Sequence, residues 1–183
     1  MDPSSKPTKL LWVDLEMTGL DANNDRILEV AAIVTDFNFT ELDRFEGVVY
    51  QPPEVLNRMN EWVRTTHTAT GLLSRVQAAP NEQHVVIEFA DFIKRNFKEP
   101  AILAGNSIHQ DRFFIRRWWP DVEQLLHYRM LDVSSFKILM QGKYGIGFDK
   151  QQTHRALDDI QESIDELKFY LEKLSIESNG QNI

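Results

Sequence analysis

The chain has 183 residues, no cysteine and a net charge of −8 at pH 7. This length suits one domain with a core of its own, and without thiolates any metal must bind to oxygen or imidazole. The acidic balance disfavours a protein that holds long nucleic acid without regard to sequence, because such proteins usually carry a broad basic face. A protein that grips only a few nucleotides through metal and pocket contacts stays compatible with this charge.

The sequence also predicts a cytoplasmic location. No apolar run reaches the roughly 18–20 residues that a membrane span requires, and the polar start MDPSSKPTK lacks the apolar core of a signal peptide. We expect residues 1–8 and 176–183 to be disordered segments and residues 9–175 to form a single domain.

The first half of the chain predicts three strands followed by two helical regions. The strands, recognised by alternating or continuous apolar residues, lie at residues 9–16, 27–35 and 44–50. Residues 55–76 form the first helical region. The second is a helix that Asn81 could cap, with apolar positions recurring at helical spacing, namely Val86, Phe89, Ile93 and Phe97.

The second half predicts strands and helices in alternation. A short strand at residues 101–104 precedes a helix that starts near Ser107 and that Pro120 stops. Another short strand at residues 129–133 is followed by a helix, and the last helix runs from about residue 155 to 174. Three strands followed by alternating strands and helices indicate a single α/β domain with a mixed sheet, as in the ribonuclease-H-like folds.

Two acids stand two residues apart on the first predicted strand. Asp14 and Glu16 therefore point to one face of a strand that is otherwise apolar, KLLWVDLE. At the centre of a sheet these acids would repel each other and lose hydration, and a divalent metal is the usual compensation. The alternative is an edge strand whose polar face meets water.

The final helix carries two further acids. At about 100° per residue, Asp158 lies opposite the apolar stripe of this helix and Asp159 lies at its border. We therefore expect Asp159 to reach an interior site and Asp158 to be solvated. The residues that form the predicted stripe are Ile160, Ile164, Leu167, Leu171 and Leu174.

His154 and Asp111 complete the candidates for catalysis. His154 precedes the final helix in a polar segment, and a mobile imidazole beside a carboxylate suits a general base that arrives with the substrate. A surface histidine without function is the alternative. Asp111 lies in the first turns of a helix, where an acid can bind metal or simply interact with the helix macrodipole.

Three segments in order, VDLEMTGL, GNSIHQDRFF and HRALDD, resemble the motifs of the DEDDh family of 3′→5′ exonucleases. The last fits the pattern H-x-A-x-x-D with His154, Ala156 and Asp159, and the second keeps the spacing G-N-S-x-x-x-D. The stretches NEWVRTTH and HYRMLDVSS extend the similarity to the oligoribonucleases of that family, which degrade very short RNA. The resemblance spans nearly the whole chain, from about residue 10 to 174.

This resemblance implies a nuclease that uses two metal ions. Asp14, Glu16, Asp111 and Asp159 would bind two Mg²⁺ or Mn²⁺ ions, and His154 would activate the attacking water. The chemistry agrees, because carboxylates suit hard cations, and two such cations can assist the water, the phosphate and the leaving 3′ oxygen.

The resemblance further implies a pocket that holds both ends of the substrate. Leu20 would be a wedge between bases, Trp62 a stacking platform, and His67 would lie beside the same 3′ nucleotide. The protein would be a homodimer, since one residue at the 5′ phosphate comes from the other protomer. The residues at that phosphate would be Ser107, Arg129, Ser134 and the other protomer's Tyr128.

Several alternatives stay open at the level of sequence. Trp62 could be a core aromatic and Arg129 a surface charge, whereas Trp118, Trp119 and Leu125 are compatible with a dimer interface. A related nuclease that trims tRNA ends or proofreads DNA is the first rival function. The second is a binding module that kept the fold without catalysis, although all four acids and the histidine are present.

Overall fold

The computed structural model describes residues 6–149 and 155–180. The first half of the chain forms three strands, β1 to β3, and then four helices, α1 to α4. The strands are Lys9–Met17, Ile27–Asp36 and Glu41–Val48. The helices are Pro53–Leu56, Glu61–Ala69, Leu72–Ala78 and Glu82–Asn96.

The second half alternates strands and helices. In chain order its elements are β4 (Ala101–Gly105), α5 (His109–Trp118), α6 (Pro120–Glu123), β5 (Leu126–Asp132), α7 (Val133–Leu139), a π-helical turn (Met140–Tyr144) and α8 (Ala156–Gly180).

The five strands form one mixed sheet in the order β3-β2-β1-β4-β5. β1 pairs antiparallel with β2, and β2 pairs antiparallel with β3. β1 and β4, and then β4 and β5, pair in parallel. The mixed α/β sheet predicted from the order of elements is therefore confirmed, and β1, which carries Asp14 and Glu16, lies at its centre.

Helices cover both faces of the sheet, and the side chains of β1 alternate between the two resulting cores. Leu11, Val13 and Leu15 face a core formed with α4 and α5. Trp12, on the opposite face, packs in a second core that includes Ile160 and Ile164 of α8. Since strand side chains repeat every two residues, Asp14 and Glu16 share the face of Trp12, towards α8.

Several element boundaries differ from the sequence prediction. The helical region at 55–76 is three short helices, because Asn60 caps α2 by accepting from the Val63 N–H, and Gly71, with a φ of 76°, separates α2 from α3. α5 begins at His109, since Ser107 has a φ of 50° and cannot be helical. β5 begins three residues earlier than predicted, and α8 continues to Gly180, before which no proline or glycine ends it.

Two predicted apolar surfaces also need correction. Leu171 is 37% exposed, whereas Tyr170 is fully buried, so the stripe of α8 passes through Tyr170. Trp119 belongs to the core and donates its indole N–H to Glu82, so it is not an interface residue. Trp118 and Leu125 are partly buried against the same core. Within the described ranges, no helix is both long and apolar enough to cross a membrane.

Candidate active site

Three carboxylates from two elements meet between β1 and α8. Asp14, Glu16 and Asp159 each offer an oxygen, and these oxygens lie within 4.8 Å of one another. β1 supplies the first two because they stand on the face that packs against α8, and α8 supplies Asp159 from its first turn. Since β1 is a central strand, the interpretation of Asp14 and Glu16 as a solvated edge pair is wrong.

The two neighbouring acids of α8 lie in different environments, as the helical period predicts. Asp159 is partly buried within the carboxylate cluster, whereas Asp158 is exposed. The difference follows from Ile160 and Ile164, which are buried and so fix the rotation of the helix about its axis.

Asp111 reaches the same region from the other side of β1. It is 7% exposed, and its Oδ1 accepts the backbone N–H of Leu15, the residue between the two β1 acids, at 2.9 Å. α5 therefore presents Asp111 directly beside the acids of β1. Asp111 occupies the first turn of α5, where an acid can interact with the helix macrodipole. Its hydrogen bond to Leu15 shows that it also contacts β1.

The carboxylates of this cluster lie close enough to repel one another when they are charged. Burial, and after it the charges of Asp159, Glu29 and Asp111, together raise the pKa of Glu16 from 4.5 to about 8. Burial also raises the pKa of Asp111. A cation between these groups would relieve the repulsion, and an all-oxygen donor set suits a hard divalent ion. The residues therefore fit a site for a hard divalent cation.

His67 lies against this cluster. Its ring is buried, its Nε2 is 2.9 Å from the carbonyl oxygen of Met17, and its Nδ1 is 3.9 Å from a carboxylate oxygen of Glu16. A carbonyl oxygen can only accept, so Nε2 carries the hydrogen. The structure thus places His67 beside the end of β1.

Leu20, three residues after β1, and Trp62 of α2 are both exposed on the surface. Leu20 is 78% and Trp62 69% exposed, so the interpretation of Trp62 as a core aromatic is wrong. Trp62 lies in the first turn of α2, the helix that also carries His67. The same helix therefore carries a buried histidine beside Glu16 and an exposed tryptophan.

The loop that carries Leu20 is braced by Asp25. The Asp25 carboxylate accepts from the Thr18 hydroxyl at 3.0 Å and from the Asp21 N–H at 2.9 Å. A Cβ on Gly19 would collide with that carboxylate. The loop is therefore fixed between Thr18 and Asp25, with Leu20 outward.

Ser107 and Ser134 lie together at a second end of the site. Their hydroxyl oxygens are 3.0 Å apart, and the Ser107 N–H donates to the Ser134 oxygen at 2.8 Å. Asp132, at the start of α7, accepts from the backbone N–H groups of both serines. The structure thus brings together two of the residues predicted at the 5′ phosphate.

Tyr128 and Arg129 project from β5, the last strand of the sheet order. Tyr128 is 71% exposed, and the Arg129 guanidinium carbon lies 5.3 Å from the centre of its ring. Arg129 is exposed as well, so its interpretation as a surface charge agrees with its position. His154 falls outside the described residues, so its predicted role is not placed by the structure.

Sequence reasoning missed Asp132 and Glu166. Glu166 is fully buried on α8 and contacts Asn106 and Tyr170. A signal for it was present, because Glu166 stands seven residues after Asp159 and therefore lies on nearly the same side of α8.

Comparisons with known proteins agree with this geometry. The model of a family described as Exonuclease matches residues 11–167. An oligoribonuclease of Francisella tularensis subsp. tularensis is 46% identical over 170 residues, which cover 90% of this chain and 95% of that protein. The chain belongs to the oligoribonuclease family of exonucleases. A second member, from Haemophilus ducreyi, is 45% identical over 175 residues, covering 89% of this chain and 92% of its own.

Solved structures show that this oligoribonuclease-family chain has the exonuclease fold. Escherichia coli exonuclease I in complex with a dT13 oligonucleotide matches with a TM-score of 0.65 at 16% identity. The zinc-bound form of its complex with single-stranded DNA matches with a TM-score of 0.62, also at 16% identity. The alignments cover 89% of this chain but only 41% and 40% of those chains. The predicted ribonuclease-H-like fold is thereby confirmed.

Proposed function

We propose that the protein is a 3′→5′ exoribonuclease that degrades very short RNA, dinucleotides above all, to nucleoside 5′-monophosphates. The observation that carries this proposal is the cluster of Asp14, Glu16 and Asp159, with Asp111 bonded beside it, in a chain of the oligoribonuclease family. A module that only binds nucleic acid would have little use for partly buried acids whose mutual repulsion destabilises the fold.

Asp14, Glu16, Asp111 and Asp159 would hold two divalent ions, Mg²⁺ or Mn²⁺. Such ions, when bound, supply positive charge for the attacking water, the scissile phosphate and the departing 3′ oxygen. The four acids would hold the ions at a fixed place on the sheet, because α5 and α8 each pack against β1. His154 would accept the proton of the attacking water.

The substrate would lie between the two ends of the site. Leu20 and Trp62 would hold the bases from their exposed positions, and stacking on an aromatic ring is worth roughly 1–3 kcal/mol per base. His67, already in contact distance of Glu16 through Nδ1, would lie beside the 3′ nucleotide. The groups that would hold the 5′ phosphate are Ser107, Arg129, Ser134 and the partner subunit's Tyr128.

A homodimer is part of this proposal. β5 and the helix that follows it, α7, each carry two exposed apolar side chains, which we name together the β5–α7 patch: Tyr128, Met130, Ile138 and Leu139. β5 is the terminal strand of the sheet, and apolar side chains beside a terminal strand usually mark a contact with another chain. A monomer in sedimentation velocity at micromolar concentration would contradict this part. A cytoplasmic location stays a prediction.

A metal titration with labelled RNA tests the proposed activity. The protein is freed of metal by chelation and dialysis, and a 5′-labelled RNA of five nucleotides is then added with increasing Mg²⁺ or Mn²⁺. We expect no hydrolysis without metal, restored hydrolysis with it, and products that shorten stepwise from the 3′ end. Full activity after exhaustive chelation would contradict the metal mechanism, and RNA binding without any cleavage would favour a non-catalytic module.

A further inference from the structure

Glu166 is a buried carboxylate that the catalytic cluster does not use. It lies two turns after Asp159 on α8 and is 0% exposed. Its Oε1 accepts from the Tyr170 hydroxyl at 2.9 Å, and its Oε2 accepts from the Asn106 side-chain amide at 2.9 Å. Because burying a carboxylate is costly unless it is hydrogen-bonded, these two bonds fix the geometry around it.

The amide of Asn106 has a single orientation in this network. The Ser163 hydroxyl donates to the carbonyl oxygen of Asp159 at 2.8 Å, so towards Asn106 it can only accept, at 3.1 Å. A carboxylate such as Glu166 also only accepts. Both neighbours therefore require the NH₂ group of Asn106 on this side, and its carbonyl oxygen must point to the other side.

The side-chain carbonyl oxygen of Asn106 accepts the hydroxyl hydrogen of Ser134. The Ser134 hydroxyl donates to Asn106 Oδ1 at 3.2 Å, and a hydroxyl has only one hydrogen. The Ser134 oxygen therefore accepts from Ser107, through both its backbone N–H and its hydroxyl. Of the two serines, Ser107 can turn its hydroxyl hydrogen to an incoming ligand without breaking the bond between Ser134 and Asn106. Ser134, proposed above among the groups at the 5′ phosphate, would then act there by positioning Ser107 rather than by donating to the phosphate.

We propose that Glu166 is a positioning residue for the phosphate end of the site: acting through Asn106, it fixes Ser134 and leaves Ser107 to donate to the 5′ phosphate of a bound dinucleotide. This inference rests on the proposed function, since it concerns the same substrate. The network also joins the phosphate end to the metal end, because Ser163 connects Asn106 to the backbone of Asp159.

The test compares dinucleotides that carry or lack a 5′ phosphate. The ratio of their kcat/KM values is the phosphate preference of each variant. Glu166→Leu removes the acceptor for Asn106 and should lower this preference about tenfold, mainly through a higher KM for the phosphorylated dinucleotide. A loss of fold alone would lower the two kcat/KM values equally and leave the ratio unchanged.

Two conservative variants serve as controls. Glu166→Gln should keep the preference, because its amide oxygen can accept from Asn106 while the Tyr170 hydroxyl accepts from its NH₂ group. Tyr170→Phe removes the other bond of the same carboxylate and leaves the one to Asn106, so it too should keep the preference. An unchanged preference in Glu166→Leu, or an equal loss in Tyr170→Phe, would overturn the proposal.

Further measurements keep the two proposals distinguishable. If Glu166→Leu does not fold, Asn106→Ala breaks the same link from the other side and should give the same loss. If the wild-type protein does not hydrolyse dinucleotides, the proposed function fails. Calorimetry then measures the affinity of each variant for the dinucleotide with and without the 5′ phosphate. If the ratio of these two affinities is the same in the wild type and in Asn106→Ala, the positioning role of Glu166 is overturned.

Discussion

At the scale of single residues, the structure separates two acids that are neighbours in sequence. Asp159 lies in the carboxylate cluster, and Asp158 is exposed on the outer face of α8. Adjacent positions on a helix differ by about 100°, so one substitution should affect the metal site and the other should affect solvent-exposed surface. Asp158 is thus a matched control for Asp159.

We expect Asp159→Asn to lower kcat by at least about 100-fold, since loss of a residue that only supports a ligand already costs about 10- to 100-fold. Asp158→Asn should stay within about twofold, as exposed substitutions usually do. Steady-state kinetics on a dinucleotide with Mg²⁺ measures both. If Asp158→Asn proves the more damaging, the orientation of α8 and the metal role of Asp159 are both wrong.

The raised pKa of Glu16 predicts how metal binding depends on pH. With a pKa of about 8 in the folded protein against 4.5 as its ordinary value, Glu16 holds its proton more tightly when folded than when unfolded. The metal-free protein should therefore lose stability as pH rises from about 4.5 to about 8, by at most roughly 1.4 kcal/mol per pH unit. Over the same range the carboxylate becomes available to metal, which stabilises the folded state.

The rise in Tm produced by saturating Mg²⁺ should consequently be larger at pH 8.5 than at pH 6. Thermal unfolding with chelator or with Mg²⁺, at each pH, measures it. Glu16→Gln should remove much of the pH dependence, because that side chain does not titrate. An equal rise in Tm at both pH values would show that Glu16 does not compete with protons for the metal.

At the scale of elements, the loop between β1 and β2 fixes the position of Leu20. Asp25 holds both Thr18 and Asp21, and Gly19 has no room for a side chain beside that carboxylate. Gly19→Ala should therefore displace Asp25 and shift Leu20. We expect KM for a dinucleotide to rise by about five- to tenfold, the value of roughly one lost hydrogen bond, with kcat less affected.

Gly142 provides the matched control, because an added Cβ there meets nothing within 4 Å. Gly142→Ala should leave KM and kcat close to those of the wild type. If Gly19→Ala also leaves KM unchanged, the loop does not position a substrate contact, and Leu20 loses its proposed role as a wedge.

Elements also show which features could be predicted from the sequence. Period-two and helical patterns placed Asp14, Glu16 and Asp159 on facing surfaces, because buried apolar residues fix how β1 and α8 are oriented. The same patterns could not place Trp119, which is core rather than interface, since apolar composition alone does not distinguish the two.

The local conformation around Ser107 could not be predicted from the sequence for another reason. The left-handed backbone of Ser107 is imposed by contacts with Asp132 and Ser134, which lie 25 or more residues away. A helix prediction that starts near residue 107 therefore began two residues too early. Glu166 was missed because an apolar stripe is recognised by its apolar members, whereas its partner Asn106 is 60 residues distant.

At the scale of the whole molecule, the net charge of −8 limits how the substrate can be held. Affinity for long nucleic acid grows with the number of phosphates that basic residues neutralise, and it falls steeply with salt. An acidic protein that binds two ends of a dinucleotide gains little from such contacts. We therefore expect affinity to come from the groups proposed at the two ends of the substrate, Leu20 and Trp62 at one end and Ser107 and Arg129 at the other.

The central claim, that this pocket selects very short RNA, is tested most directly by a length series. 5′-Phosphorylated RNAs of two to twenty nucleotides are hydrolysed under identical conditions with Mg²⁺, and kcat/KM is measured for each length. The account predicts the highest value for the dinucleotide and a fall of more than about tenfold for the longest RNA, because a longer chain cannot place its 5′ phosphate at Ser107 and Arg129. An equal or higher value for the twenty-nucleotide RNA would contradict the account and favour a nuclease that trims longer substrates.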